Sequence, residues 1–220
     1  MISNRLKSIA SFINKKDKVI DIGTDHGLLA IFLYQNKLCT SIAASDINKN
    51  ALKSAQANIA ANNLIEQIPT ILSDGFENID PKKFNTAVIA GMGRTTISKI
   101  IEHENANNIK KIIIQTNNEH SQMREYMSKK GYYLCEERVL KERNKFYILM
   151  NYIKSKEKNT KTEIKFGLYN ETYIEYFTNI MIQNSKILEK VPAKKIFLRS
   201  SIKKQNKELN KIIKSILTKN

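Results

Sequence analysis

Residues 19–29, VIDIGTDHGLL, constrain the fold of this chain more than any other stretch. A short apolar run ends at Asp21, glycines follow at Gly23 and Gly27, and the apolar residues at 28–33 have helical spacing. A strand, a glycine turn and a helix in this order bring bare backbone N–H groups against a nucleotide-like ligand. The pattern therefore predicts a ligand-binding turn in an α/β fold. An ordinary glycine turn between a strand and a helix remains the alternative.

Asp25 restricts the ligand that this turn can hold. A pyrophosphate on the turn would meet its carboxylate, and two anions a few ångströms apart in a partly dry site repel by about several kcal/mol. NAD and FAD are therefore disfavoured. S-adenosyl-L-methionine has no phosphate and carries a positive sulfonium, so an acidic turn is compatible with it. The spacing also resembles the D-x-G-x-G-x-G motif of Rossmann-like methyltransferases, with Asp25 in place of the middle glycine.

Two further acids follow predicted strands. Asp46 ends the strand at residues 41–45, where a carboxylate can accept hydrogen bonds from both ribose hydroxyls of an adenosine cofactor. Asp74 follows the strand at residues 68–72, where it is placed either to accept from the adenine amine or to cap the turn before Phe76. These acids strengthen the prediction of a nucleoside-binding site.

Strands and helices alternate along the rest of the first 153 residues. After a first helix at residues 5–13 and the strand at residues 18–22, further strands are predicted at 41–45, 68–72, 86–90 and 111–115, with helices between them. Five alternations favour a parallel sheet with helices on both faces. Residues 132–137 and 146–152, joined by the charged segment RVLKERNK, are expected to form a closing antiparallel pair.

Residues 154–220 form a basic tail. They carry 16 Lys and Arg against 6 Glu, in a chain of formal net charge +16. Apolar residues recur at helical spacing on both sides of Pro192, which predicts an antiparallel helical hairpin. Its basic residues are available for phosphates, so nucleic acid is the expected partner: Lys194, Lys195, Arg199, Lys203, Lys204, Lys207 and Lys211. A solvated basic surface and a dimerising coiled coil remain alternatives, and a monomer or weak dimer is expected.

Composition favours a cytoplasmic, metal-free protein. No apolar run approaches the length of a membrane span, and the amino-terminal residues predict an amphipathic helix rather than a signal peptide. Cys39 and Cys135 are far apart, with no histidines at metal-binding spacing.

Four segments carry a family resemblance: DIGTDHG at 21–27, SDGFENI at 73–79, AGMGRTTISKI at 90–100 and QTNNEHSQMREYM at 115–127. In order and spacing they are similar to the bacterial tRNA (adenine(22)-N1)-methyltransferase family. Arg94 and Thr116 depart from the family pattern, in which a further glycine and a proline are common. The resemblance implies a Rossmann-like class I methyltransferase fold at 1–153, with a C-terminal helical hairpin at 154–220 that helps to hold tRNA.

The strand ends, the loops and the chemistry of the target atom, together with the resemblance, predict a set of site residues. The cofactor S-adenosyl-L-methionine is expected to contact Asp21, Gly23, Thr24, Gly27, Asp46, Ile47, Asp74, Gly75, Ala90, Gly91 and Met92. Asp25, His26 and Asn117 are the candidate catalytic residues. Asp25 would stabilise the cationic methylated adenine or take a proton from its amine, and His26 would orient Asp25 or the base. A helix N-cap role for Asp25 and a turn role for His26 remain alternatives.

Other roles and other functions stay open. Asn117 and Gln115 would read the base edge, and Arg5 would contact a phosphate, close over the site or be a surface charge. The loop after the fourth strand lacks the Pro-Pro-aromatic motif typical of exocyclic-amine methylation, which favours a ring nitrogen as the target. The alternative functions are an rRNA methyltransferase and a non-catalytic RNA-binding protein with a methyltransferase fold.

Overall fold

The computed structural model describes residues 2–218, which form two compact units divided between Gly167 and Leu168. This division lies later than the predicted boundary after residue 153. Residues 154–167 stay with the first unit because they are hydrogen-bonded to it. The Asn159 side chain bonds both backbone groups of Leu134, and Arg124 Nη1 donates to the carbonyl of Ile164 at 3.4 Å.

The first unit contains one seven-stranded sheet. Its strands are β1 Lys18–Ile22, β2 Ser41–Asp46, β3 Thr70–Leu72, β4 Thr86–Met92, β5 Lys111–Thr116, β6 Tyr132–Glu142 and β7 Lys145–Lys154. The helices are α1 Asn4–Ala10, α2 Leu28–Gln35, α3 Lys49–Ala61, α4 Arg94–Glu102, α5 His120–Lys129 and α6 Lys161–Phe166, with a 3-10 helix at Glu104–Asn108. The strand order is β3-β2-β1-β4-β5-β7-β6. The first five strands are parallel, and β7 pairs antiparallel with both β5 and β6.

The α/β prediction is confirmed. The central strands are buried on both faces, as helix-covered parallel strands are: Val19 and Ile20 of β1 and Ile112, Ile113 and Ile114 of β5 are fully buried. The closing pair is longer than predicted, because most of the RVLKERNK segment is strand. The connecting turn is only two residues, Arg143 and Asn144. Both have positive φ, as the right-handed twist of a two-residue hairpin requires.

The segment between α1 and β1 is fastened to the sheet by a buried ion pair. Lys111 Nζ at the start of β5 lies 2.8 Å from Asp17 Oδ2 and also donates to the carbonyl of Phe12. Asp17 accepts a further hydrogen bond from the backbone N–H of Asn14 at 2.8 Å. These bonds fix the path of the chain from the end of α1 to β1.

The second unit is a helical hairpin of α7 Tyr173–Lys190 and α8 Ile196–Leu217. The two helices are antiparallel, since Asn184 donates to both Gln205 and Asn206, and Arg199 donates to the carbonyls of Leu188 and Val191. The predicted hairpin is confirmed. Between residues 2 and 218, no helix is long and apolar enough to cross a membrane.

Candidate active site

A cavity of about 1090 Å³ opens at the carboxyl ends of the parallel strands. Strand order reverses between β1 and β4, and ligands of open α/β sheets bind at such a switch point. The cavity is large enough for a nucleoside cofactor and a second planar group. Most of the predicted cofactor residues line it, namely Asp21, Gly23, Thr24, Asp46, Ile47, Asp74, Gly75, Ala90, Gly91 and Met92.

The glycine turn after β1 uses its backbone N–H groups within the protein. Gly23 and Thr24 donate to the carbonyl of Ser45 at 2.8 and 3.0 Å, and Gly27 donates to the carbonyl of Thr24. The N–H of Asp25 donates to Asp46 Oδ2 at 3.3 Å. The expectation of bare N–H groups is therefore wrong for these four residues, because β2 supplies acceptors to Gly23, Thr24 and Asp25 and the turn itself supplies one to Gly27. A turn without these donors offers little to a pyrophosphate.

Gly23 is favoured by its backbone geometry, and a side chain at this position would also displace the end of the Met92 side chain. The φ of Gly23 is +78°, and a Cβ added there would lie 2.1 Å from Met92 Cε. Gly27 also has positive φ and caps α2, with its Cβ direction facing Ala55, but it does not line the cavity. The two glycines thus have different tasks: Gly23 packs against the far wall of the cavity, and Gly27 packs against α3.

Asp25 and His26 stand together at the mouth of the cavity. Asp25 has a φ of +50°, an uncommon conformation for a residue with a Cβ. His26 Nε2 lies 3.4 Å from Asp25 Oδ2, and both side chains are more than half exposed. Gly27, not Asp25, is the N-cap of α2, so the capping alternative for Asp25 is wrong. The carboxylate of Asp25 is thus directed at its neighbour and at solvent rather than at the helix.

Two acids, Asp21 and Asp46, line the cavity side by side, and we call this part of its wall the acidic floor. Asp21 is 6% exposed, and this burial raises the pKa of its carboxyl from 3.8 to about 6. A hydrogen bond from Thr24 Oγ1 at 2.7 Å opposes the rise in pKa, and the nearby charge of Asp46 adds to it. Asp46 accepts from the backbone N–H groups of Asn48 and Asp25, and its carboxylate keeps lone pairs for further donors. The floor therefore favours a cationic or hydroxyl-bearing ligand.

The turn after β3 is organised by Ser73. Its hydroxyl donates to the carbonyl of Gly75 and accepts from the N–H of Asn78. Asp74 beside it is exposed and lines the cavity. Because Ser73 already fixes the turn, the carboxylate of Asp74 is available to a ligand.

Asn117 and Gln115 do not line the cavity. Gln115 is 1% exposed, so it is not presented to a base, and its Nε2 donates to Asn117 Oδ1 at 3.2 Å. Asn117 Nδ2 donates to the carbonyl of Gly91 at 2.7 Å. The structure thus uses both ends of the Asn117 amide to support the cavity wall.

The amino-terminal segment and α4 supply cavity residues that were not among the predicted cofactor or catalytic residues: Ser3, Arg5, Leu6, Thr96, Lys99, Ile100 and His103. Arg5 Nη1 donates to Gln115 Oε1 at 2.6 Å. These two residues are 110 positions apart, and no local pattern in the sequence signals such a contact.

Comparison with known proteins places the chain in a family. Residues 2–150 match the model of the methyltransferase domain. A putative tRNA methyltransferase of Mycoplasma genitalium is 30% identical over 172 residues, which cover 76% of this chain and 77% of the relative. M. capricolum TrmK, solved in complex with S-adenosyl-homocysteine, is 31% identical with a TM-score of 0.86, over 98% of this chain and 99% of that one. The chain belongs to the TrmK-like tRNA methyltransferase family.

A further member of this family is the tRNA (adenine(22)-N(1))-methyltransferase of Bacillus subtilis. It is 29% identical over 148 residues, which are 66% of this chain and 62% of the relative. That alignment thus spans less than two thirds of the relative's length. The expected Rossmann-like methyltransferase fold is confirmed by the M. capricolum structure. Among residues 2–218 no group of three or more His, Cys, Asp or Glu side chains is placed to hold a metal ion.

Proposed function

We propose that this protein transfers the methyl group of S-adenosyl-L-methionine to N1 of an adenine in tRNA, at position 22. One observation carries the choice of cofactor: four N–H groups of the turn that would cradle a pyrophosphate are occupied within the protein, and acids line the cavity beside it. A phosphate-free, cationic nucleoside suits that turn. Membership of the TrmK-like family supports both the cofactor and the tRNA substrate.

The cavity residues suit the parts of this cofactor. Asp46, at the end of β2, would accept from the ribose hydroxyls, and Asp74 would accept from the adenine amine. Asp21 is buried at the bottom of the cavity, and its carboxylate would attract the positive charge of S-adenosyl-L-methionine. When bound, the cofactor supplies an electrophilic methyl group on its sulfonium.

The target atom needs alignment more than a base. Adenine N1 has its lone pair in the ring plane, so it attacks without prior loss of a proton. Methylation leaves a cation on the base. The carboxylate of Asp25 would stabilise that charge or accept a proton from the exocyclic amine, with His26 beside it. Because N1 lies on the Watson–Crick edge, the adenine must be unpaired or flipped out.

The helical hairpin would bind tRNA. Six of the seven basic residues expected to meet phosphates are exposed: Lys194, Lys195, Lys203, Lys204, Lys207 and Lys211. Arg199 differs, because its guanidinium donates to the carbonyls of Leu188 and Val191 and so holds the end of α7.

Salt dependence of tRNA binding tests this role of the hairpin. Replacing Lys203, Lys204, Lys207 and Lys211 by Gln should weaken binding and lower the slope of log K against log salt by about one for each phosphate that the hairpin no longer neutralises. Lys156 and Lys158, exposed lysines of the first unit, provide the matched control. An unchanged slope, together with a concentration-dependent oligomer, would favour the dimerising coiled coil over a monomer or weak dimer that binds RNA.

The decisive experiment is methyl transfer from labelled S-adenosyl-L-methionine to unmodified total tRNA, followed by nucleoside analysis. We expect N1-methyladenosine, lost in Asp25→Ala and Asp46→Ala but kept in Glu66→Ala, an exposed acid outside the cavity. Product only with rRNA would support the rRNA alternative. Absence of cofactor binding by calorimetry would leave the non-catalytic RNA-binding protein. Retention of the active protein in the cytosolic fraction tests the expected cytoplasmic location.

A further inference from the structure

Three hydrogen bonds connect α1 to the cavity wall. Arg5 Nη1 donates to Gln115 Oε1 at 2.6 Å, Gln115 Nε2 donates to Asn117 Oδ1 at 3.2 Å, and Asn117 Nδ2 donates to the carbonyl of Gly91 at 2.7 Å. We call these three side chains, Arg5, Gln115 and Asn117, the amide relay.

The direction of every bond in the amide relay is determined by chemistry. A guanidinium has only donors, so the oxygen of the Gln115 amide must face Arg5 and its nitrogen must face Asn117. The oxygen of the Asn117 amide then faces Gln115, and its nitrogen faces Gly91, whose carbonyl can only accept. Arg5 at one end of the relay and the carbonyl of Gly91 at the other end therefore favour the same orientation of the two amides.

Gly91 needs this support because it is the extra residue of a β-bulge. Ala90 pairs with Gln115 and Met92 pairs with Thr116, so Gly91 has no partner in the ladder between β4 and β5. Asn117 compensates on both sides of the bulge, because its side chain bonds the carbonyl of Gly91 and its backbone N–H bonds the carbonyl of Met92 at 2.9 Å. The bulge is the part of the cavity wall that faces Gly23.

Helix α1 holds Arg5 in place. The backbone N–H of Asn4 donates to Glu142 Oε1 at 3.0 Å, and the Arg5 guanidinium lies 5.4 Å from the centre of the Tyr147 ring. Arg138 stacks on Phe12 and donates to Ser11 Oγ at 2.6 Å. A charged side chain on an anchored helix can impose an orientation on its neighbours.

We infer that Arg5 is a positioning residue: through Gln115 and Asn117 it fixes the bulged Gly91–Met92 wall, against which the acceptor base is aligned with the methyl group. This inference rests on the proposed function for its kinetic consequence but not for the relay itself. Arg5 acts on alignment rather than on affinity for RNA.

The relay is tested without turnover by the side-chain amide signals of Gln115 and Asn117 in ¹⁵N NMR spectra. The wild type should give one set of signals, with slow solvent exchange of the Asn117 proton bonded to Gly91. Arg5→Met should double or broaden both sets, and Arg5→Lys, which keeps a donor, should restore one set. Lys7→Met, an exposed basic residue of the same helix, should change neither. Unchanged signals in Arg5→Met would overturn the relay.

Gln115→Glu separates the relay from the docking of α1. Glu still accepts from Arg5, so α1 stays in place. It has no N–H for Asn117 Oδ1 or for the carbonyl of Thr116, to which Gln115 Nε2 also donates at 3.1 Å, so both of these bonds are lost. We expect kcat to fall by about tenfold or more in Arg5→Met and in Gln115→Glu, with KM for tRNA changed less than about threefold. Raised KM with unchanged kcat in Arg5→Met, or full activity in Gln115→Glu, would overturn the positioning role. If the wild type does not methylate tRNA, the proposed function fails and the NMR result still decides the relay.

Discussion

Cofactor affinity should depend on the ionisation of Asp21. Burial raises the pKa of this carboxyl from 3.8 to about 6. The negative charge of Asp46 also raises this pKa, whereas the hydrogen bond from Thr24 lowers it. In the free protein Asp21 is thus largely protonated at pH 5 and ionised at pH 7. A cationic ligand beside it favours the carboxylate, so binding must release the proton at low pH.

The size of the effect follows from the pKa values. If the bound cofactor returns the pKa of Asp21 to its ordinary 3.8, affinity at pH 5 should be about tenfold lower than at pH 7. Binding should release about 0.8 proton at pH 5 and almost none at pH 8.

Isothermal titration calorimetry in pairs of buffers with different ionisation enthalpies measures both the affinity and the proton release. Asp21→Asn is the control, because it keeps an acceptor for Thr24 but has no proton to release, and its affinity should not vary with pH. Equal affinity of the wild type at pH 5 and pH 7, with no dependence of the heat on the buffer, would refute the reasoning.

The same ionisation affects stability with a definite sign. The folded-state pKa of Asp21 is raised, so the protonated form is favoured by folding, and stability is lost as pH rises through about 6. At pH 7 the cost is about 3 kcal/mol. Asp21→Asn should therefore raise the melting temperature at pH 7, and this gain should disappear as pH falls towards 4.

Two further predictions concern packing. Gly23→Ala should lower the free energy of unfolding by about 1–2 kcal/mol, because alanine is strained at a φ of +78°. It should also weaken cofactor binding, because the new Cβ displaces Met92. Gly131 has a φ of +80° and nothing within 4 Å of its Cβ position, so Gly131→Ala should show the same loss in urea unfolding without the loss of cofactor binding. Lys111→Met should cost about 3 kcal/mol in the same assay, since it leaves the carboxylate of Asp17 buried without its cation, and adding Asp17→Asn should recover part of the loss. A Lys111→Met variant as stable as wild type would show that this pair does not stabilise the fold.

The sequence predicted the sheet well because its signals are local. The run KVIDI has the bounds of β1, and the alternation of apolar runs with helical spacing predicted five parallel strands in the right order along the chain. Acids at strand ends were also placed correctly, since the carboxyl ends of parallel strands meet at one edge. Asp46 and Asp74 both line the cavity for this reason.

Contacts between distant segments were not predictable. The turn N–H groups bond Ser45 on a neighbouring strand, and the partner of Arg5 lies 110 positions away. Helix α6 was missed because it is short, although its capping box of Thr160 and Glu163 is a recognisable local signal. Orientation of side-chain amides depends on all partners at once, so Asn117 was predicted at the base rather than at the bulge.

The amide relay consists of a guanidinium and two neutral amides, none of which changes its charge near neutral pH. A guanidinium keeps its charge and amides do not titrate, so the shape of the Gly91–Met92 wall is insensitive to acidity. Acidity therefore acts on this site through other groups, of which Asp21 has a pKa of about 6. If the proposed methyl transfer is observed, its pH–rate profile should contain no contribution from a change in the shape of the Gly91–Met92 wall.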